Sequence, residues 1–292
     1  MAKRLGYVPS PVARALGSGP TSTVGVVTSD LEGRFALPIL MGVEDALGTD
    51  SVLTFLCDAR GDDVRERRLV DMLLKHRVDG IVLVGRQTDP RVSLGPLPVP
   101  VVYAYSESES PDDCSVTVDN AAIGRIAGEH LVGLGKRNIA HISGEPGHSA
   151  AILRLAGFTE VLERTGLELA RPPLFGLWTE GWGRAAMELL LDSGTPLDAV
   201  FCASDQLAIG ALDTLYERGL RVPDDIAILG VDNWEVLAEN ARVPLTSIDM
   251  SLKRVGRLAA QRVMEAAAGR PSRGREVVQG RLVHRKSTIP SR

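Results

Sequence analysis

Residues 199–232 carry the pattern that decides the fold. Ala199-Val200-Phe201-Cys202-Ala203 is a short, wholly apolar run. Asp205 to Arg218 then reads as a helix, and Ile226-Ala227-Ile228-Leu229-Gly230-Val231 is a second apolar run that ends on Asp232. Apolar strands separated by an amphipathic helix predict a parallel sheet covered on both faces. Moving toward the N-terminus, the same alternation gives a strand over Asn138 to Ser143 and a helix over Ala151 to Arg164. A strand over Pro173 to Trp178 and a helix over Gly181 to Asp192 follow.

An earlier run repeats the alternation. Thr23 to Thr28, Ser51 to Leu56, Val78 to Val84, Val99 to Tyr105 and Ser115 to Val118 read as strands, and Leu37 to Leu47 as a helix. Asp62 is placed to cap a second helix that sets Leu69, Val70, Leu73 and Leu74 on one face. A third helix has Ile123, Ile126, Ala127, Leu131 and Leu134 as its predicted buried stripe. Two such runs predict two doubly wound α/β lobes. The helix Leu252 to Ala267 and the strand-like Val277–Val278 and Leu282–His284 come last and are expected to return the chain to both lobes.

Composition narrows the class. The chain has 292 residues, 44% hydrophobic and 24% charged, which is ordinary globular usage and excludes disorder and fibres. Lys and Arg total 33 against 37 Asp and Glu, a formal net charge of −4, which argues against coating nucleic acid over the whole surface. The 3 Cys (Cys57, Cys114, Cys202) are scattered and read as reduced thiols. No apolar run is long enough to span a membrane, and the basic start is not followed by the apolar stretch of a signal peptide. A cytoplasmic protein with no membrane partner is expected. Gly17 to Ser22 reads as a linker, and the basic C-terminal end as a solvated one.

Open α/β sheets bind ligands beyond the carboxyl ends of their strands. Two lobes would set those ends across a shared cleft. Asp30, Phe35 and Tyr105 are the candidates from the first lobe, and Arg154, Trp182, Ser204, Asp205 and Asp232 from the second. Hydroxyls, carboxylates, an Arg and aromatic rings suit a small polyhydroxylated ligand. Plainer roles stand beside these. Asp205 is placed to cap its helix, Ser204 to end a strand, Trp182 to pack on a helix face, and Arg154 taken alone to be solvated. Dinucleotide, P-loop, metalloprotease and nucleophile-elbow motifs are absent, and the His residues show no metal spacing. No enzyme activity, metal or cofactor is expected.

The N-terminal stretch Ala2-Lys3-Arg4-Leu5-Gly6-Tyr7-Val8-Pro9-Ser10-Pro11-Val12-Ala13-Arg14-Ala15-Leu16 resembles the hinge junction of LacI/GalR (lactose-repressor-like) transcriptional regulators. Val116 to Gly124, His130 to Ala140, Arg154 to Phe158, Phe201 to Gly210, Val222 to Ile226, Gly230 to Asp232 and Pro244 to Ile248 extend the resemblance over essentially the whole chain.

The resemblance implies a periplasmic-binding-protein-like pair of lobes with a central cleft. A hinge segment over 1–20 precedes them. One lobe is expected over 21–118 plus 252–279 and the other over 119–250 plus 280–292. Arg154 and Asp232 resemble the family's ligand pair, with Ser204 and Trp182 at pocket positions and Phe35, Tyr105 and Asp30 on the first-lobe side. Leu16, with Ala13 and Arg14, resembles the hinge element that enters the minor groove of operator DNA. A homodimer, an effector-gated affinity for operator DNA, and a start beyond the recognition helix are likewise implied. Ser10 replaces the usual hinge Asn, and Val231 an aromatic. Ala150 and Ile152 stand at positions that are polar in sugar-binding members, which points to a ligand with an apolar portion. An exported solute-binding protein of the same fold, and a sugar-modifying enzyme using Asp30 with Asp232, are the alternatives.

Overall fold

The computed structural model describes residues 21–31, 33–48 and 52–289. The hinge expectation over 1–20, including Ala13, Arg14 and Leu16, lies outside the described residues. In chain order the first elements are β1 (Thr23–Thr28), α1 (Ala36–Gly48), β2 (Leu53–Asp58), α2 (Asp63–Lys75), β3 (Gly80–Val84), β4 (Val101–Ala104) and β5 (Cys114–Val118). Next come α3 (Asn120–Gly133), β6 (Ile139–Ser143), α4 (Ser149–Arg164), β7 (Leu174–Phe175), α5 (Glu180–Asp192), β8 (Ala199–Cys202) and α6 (Asp205–Glu217). The last are β9 (Ala227–Asp232), α7 (Glu235–Asn240), β10 (Thr246–Asp249), α8 (Leu252–Ala267), β11 (Gly274–Val278) and β12 (Arg281–Val283). The chain divides into two compact units, one of residues up to 117 with 252–276 and one of 118–251 with 277 onward.

The first unit is built on a sheet of order β11-β5-β4-β3-β1-β2. The pairs β1–β2, β1–β3, β3–β4 and β4–β5 are all parallel, with Thr23 opposite Leu53 and Val24 opposite Gly80. Val24, Val26, Val27, Ile81, Val82 and Leu83 have no exposed surface, as expected of central strands between helices. Asp62 caps α2 as predicted, accepting from Val64 N and Arg65 N. The connection from β3 to β4 is clasped to α2 by Arg91. Its Nη1 donates to Glu66 Oε2 at 2.9 Å, and its Nη2 donates to the other carboxylate oxygen. Tyr103 supports the same connection by accepting from Leu94 N at 2.8 Å.

β2 departs from the covered-strand expectation. Leu53 is 69% exposed, Phe55 45% and Leu56 49%. β2 is the edge strand, paired with β1 alone among the described strands. An apolar run reports a face suited to burial, and it does not say whether the same chain supplies the cover.

The second unit has the sheet order β12-β10-β9-β8-β6-β7, parallel except for the β10–β12 pair. The strand predicted over Pro173 to Trp178 shrinks to β7, and the chain bends at Trp178, which lies over Gly144. The predicted stripe of α3 also needs correction. Ile126 is only half-buried, and Leu134, the C-cap residue beyond the helix, is exposed. The buried face instead includes Gly124 and Gly128. A Cβ on Gly124 would collide with the Arg154 carbonyl, and one on Gly157 with the Ala121 carbonyl. α3 and α4 therefore approach backbone to backbone, which brings Asn120 against Arg154.

Candidate functional site

Arg154 stands in the second turn of α4 and is 2% exposed, which corrects the solvated reading. Its Nε donates to Asn120 Oδ1 at 2.9 Å, Nη1 to the Ala203 carbonyl at 2.6 Å, and Nη2 to Met250 Sδ at 3.1 Å. A buried guanidinium needs such acceptors to offset its lost hydration. Asp232, at the carboxyl end of β9, brings Oδ1 to 3.8 Å from Arg154 Nη1, and both side chains are 3% exposed. That spacing exceeds a hydrogen bond. The pair thus sets a donor-only group beside an acceptor-only group. A hydroxyl, which accepts from the first and donates to the second, complements both.

Backbone strain accompanies the site. Asp232 has φ 108° and Asn233 φ 50°, in the left-handed region that non-glycine residues seldom occupy. The Asp205 carboxylate holds this turn, accepting from Trp234 N at 2.8 Å and from Ser247 Oγ at 2.6 Å. Asp205 is therefore not the helix cap predicted for it. Ser204 caps α6, with its Oγ accepting from Leu207 N at 3.4 Å. The residue entering a helix and the residue before it carry interchangeable capping chemistry, so sequence alone does not separate them.

The two tryptophans take different parts. Trp182 Nε1 donates to the Ser143 carbonyl at 3.0 Å, and its ring covers Gly176 and packs on the core. Trp178 lies over Gly144, and its Nε1 donates to His148 Nδ1 at 2.8 Å. Near Arg154, His141 stacks on Phe201 and on Phe158, whose rings also meet each other, and donates from Nδ1 to the Phe201 carbonyl at 2.9 Å. Burial, with Arg154 nearby, lowers its pKa to about 4, so the ring is neutral.

In the first unit Phe35 and Tyr105 form a tilted ring pair with centroids 5.4 Å apart, and Arg34 lies over Phe35 at 4.4 Å. Tyr105 leaves β4 with φ 74°. Asp30 Oδ1 accepts from Gly33 N at 2.8 Å. Asp30 also lines a cavity of about 270 Å³ with Ser29, Asp58, Arg60 and Arg86, and Phe35 and Tyr105 are not among its lining residues.

The structure thus joins Arg154 with Asp232, and Phe35 with Tyr105. Trp182 and Ser204 are used to support backbone, and Asp30 is set apart. Asn120, Met250 and Asp205 matter more than sequence reasoning allowed. Asn120 had a signal, since it follows Asp119, whose Oδ1 accepts from Ala122 N to cap α3, in a stretch singled out above. Met250 had none. Among the described residues no group of three or more His, Cys, Asp or Glu could hold a metal ion, and no helix is long and apolar enough to cross a membrane.

Residues 128–288 match the family described as periplasmic binding protein-like domain. The HTH-type transcriptional regulator CelR of Thermobifida fusca is 34% identical over 301 residues, covering 98% of this chain and 86% of the relative. A crystal structure of the lac repressor dimer bound to operator and the anti-inducer ONPF is similar, with TM-score 0.82 and 26% identity over 99% of this chain and 88% of that one. A CelR–cellobiose complex is similar with TM-score 0.74 and 31% identity, covering 98% of this chain and 88% of that one.

Proposed function

The chain belongs to the LacI/GalR family of transcriptional regulators, and from that membership we propose that it is an effector-sensing core whose ligand is a small, sugar-like polyol engaged by Arg154 and Asp232. The observation that carries this reading is the buried pair held 3.8 Å apart at the carboxyl end of β9, a spacing that leaves room for an oxygen of the effector to bond to both. Trp182 and Ser204 keep the strand ends in place around the pair. The relative's complex with cellobiose supports a saccharide.

The protein works by binding, in the cytoplasm, on operator DNA contacted through the segment that contains Ala13, Arg14 and Leu16. The effector acts through its different affinities for two conformations that differ in operator affinity. A second copy of the chain covers the exposed apolar edge formed by Leu53, Phe55 and Leu56 of β2, in keeping with the dimeric lac repressor neighbour. Sedimentation of Phe55→Lys should show monomer where wild type shows dimer, and an unchanged dimer would refute that assignment.

The effector assignment is tested by a thermal-shift screen of mono- and disaccharides, nucleosides and small acids on wild type, Arg154→Ala and Asp232→Ala. A saccharide should stabilise wild type and neither variant. Equal stabilisation of all three would place the effector elsewhere.

A further inference from the structure

We propose that Ser143 is a specificity-determining residue whose hydroxyl bonds the effector beside Arg154; this rests on the reading of Arg154 and Asp232 as the effector's hook and extends it to a second oxygen of the same ligand. Ser143 is the last residue of β6 and has no exposed surface. Its Oγ is buried and has no hydrogen-bond partner. Its carbonyl is taken by Trp182 Nε1, so the backbone that carries the hydroxyl is fixed.

Two independent registers set it beside the residue that anchors the guanidinium. In the sheet, β6 pairs with β8 with His141 opposite Phe201 and Ile142 opposite Cys202. Ala203 N donates to the Ile142 carbonyl at 2.8 Å, so the pairing continues and sets Ser143 beside Ala203. The Ala203 carbonyl is the group that receives Arg154 Nη1. On the helix side, Phe158 of α4 stacks on His141. Arg154 lies one helical turn before Phe158, and Ser143 one pleat beyond His141 on the same face of the strand. Both routes bring Ser143 level with Arg154.

Two other buried atoms of this kind have plainer settings. Arg91 Nε belongs to a fork whose two terminal nitrogens Glu66 satisfies. His141 Nε2 lies in an aromatic stack within the core. Ser143 instead sits at a strand's carboxyl end, where sheets of this kind bind ligands. A buried hydroxyl without a partner is unfavourable, and such costs persist where a site is built for something other than stability. The chemistry also fits. Arg154 only donates and Asp232 only accepts, whereas serine does either. It can therefore meet a hydroxyl or a ring oxygen next to the hydroxyl held by the pair, which selects a ligand with adjacent oxygens, as in a pyranose.

The test is Ser143→Ala, measured by thermal unfolding of the free protein and by titration with cellobiose and with D-glucose. The free protein's midpoint should rise, by about 2 °C, because an unsatisfied polar group has gone. The saccharide's Kd should weaken about three- to tenfold. A fall in the free midpoint, failure to fold, or an unchanged Kd would overturn the proposal. Arg154→Ala separates it from the reading beneath it. If Arg154→Ala loses the saccharide and Ser143→Ala does not, only Ser143 falls. If neither sugar binds wild type, the sugar reading fails and the assignment of Ser143, which rests on it, falls with it.

Discussion

Each unit sets a largely covered arginine against a buried carboxylate, and the two pairs are built differently. In the first unit Arg91 and Glu66 meet as a closed fork, both terminal nitrogens bonding both oxygens. The two charges are matched inside the protein, and the product is a clasp between α2 and the connection that follows β3. In the second unit Arg154 and Asp232 stop 3.8 Å apart, and the guanidinium is satisfied by an amide, a backbone carbonyl and a thioether. A closed fork secures the fold, whereas an open pair keeps donor and acceptor aligned for a third group. Burial alone does not distinguish these roles, and the geometry of the pair does.

The largest expected effect lies in the closed fork. Glu66→Ala leaves a mostly buried Arg91 without its partner and should cost about 3–5 kcal/mol in urea unfolding, with effector affinity unchanged. A large loss of effector affinity there, with stability intact, would erase the distinction between the pairs. Acid should next separate the units. His141 has a folded pKa lowered to about 4 against an ordinary 6.5. The unfolded chain therefore takes up this proton first. The stability from keeping His141 neutral is fully present above pH 6.5 and is lost as pH falls toward 4, by about 3 kcal/mol. His130, lowered to about 4 by burial and by His284, acts in the same direction in the same unit. Among the described residues the first unit's histidine is the exposed His76, so hydrogen exchange at pH 5 should loosen the second unit first. His141→Leu should remove about half of that sensitivity, with His130 carrying the rest, and equal loosening of both units would count against this origin.

Much of this was legible in the chain itself. Strand and helix order follows from apolar runs and helical spacing, because central parallel strands must be apolar on both faces. Asp232 was legible because a carboxylate that ends a buried strand stands out. Arg154 was legible only through its resemblance to a known motif. Its helix neighbours gave no sign that Gly124 and Gly157 would let α3 close on it. The exposure of Leu53 and Phe55 was illegible, since composition does not show where one chain's own cover ends. The exchange of roles between Ser204 and Asp205 was illegible too, because the choice is made by Trp234 N and Ser247, which are distant in sequence. The Ser143 hydroxyl carries no local signal. It stands out only once the partners of every buried polar atom around it are known.

The open pair is tested most directly by calorimetric titration of the saccharide that stabilises wild type in the thermal-shift screen into wild type, Arg154→Ala and Asp232→Asn, each checked for a native circular dichroism spectrum. Wild type should bind, and each variant should weaken the Kd about 100-fold, as expected when hydrogen bonds to a charged group are lost. Folded variants that bind as wild type does would show that Arg154 and Asp232 do not hold the effector.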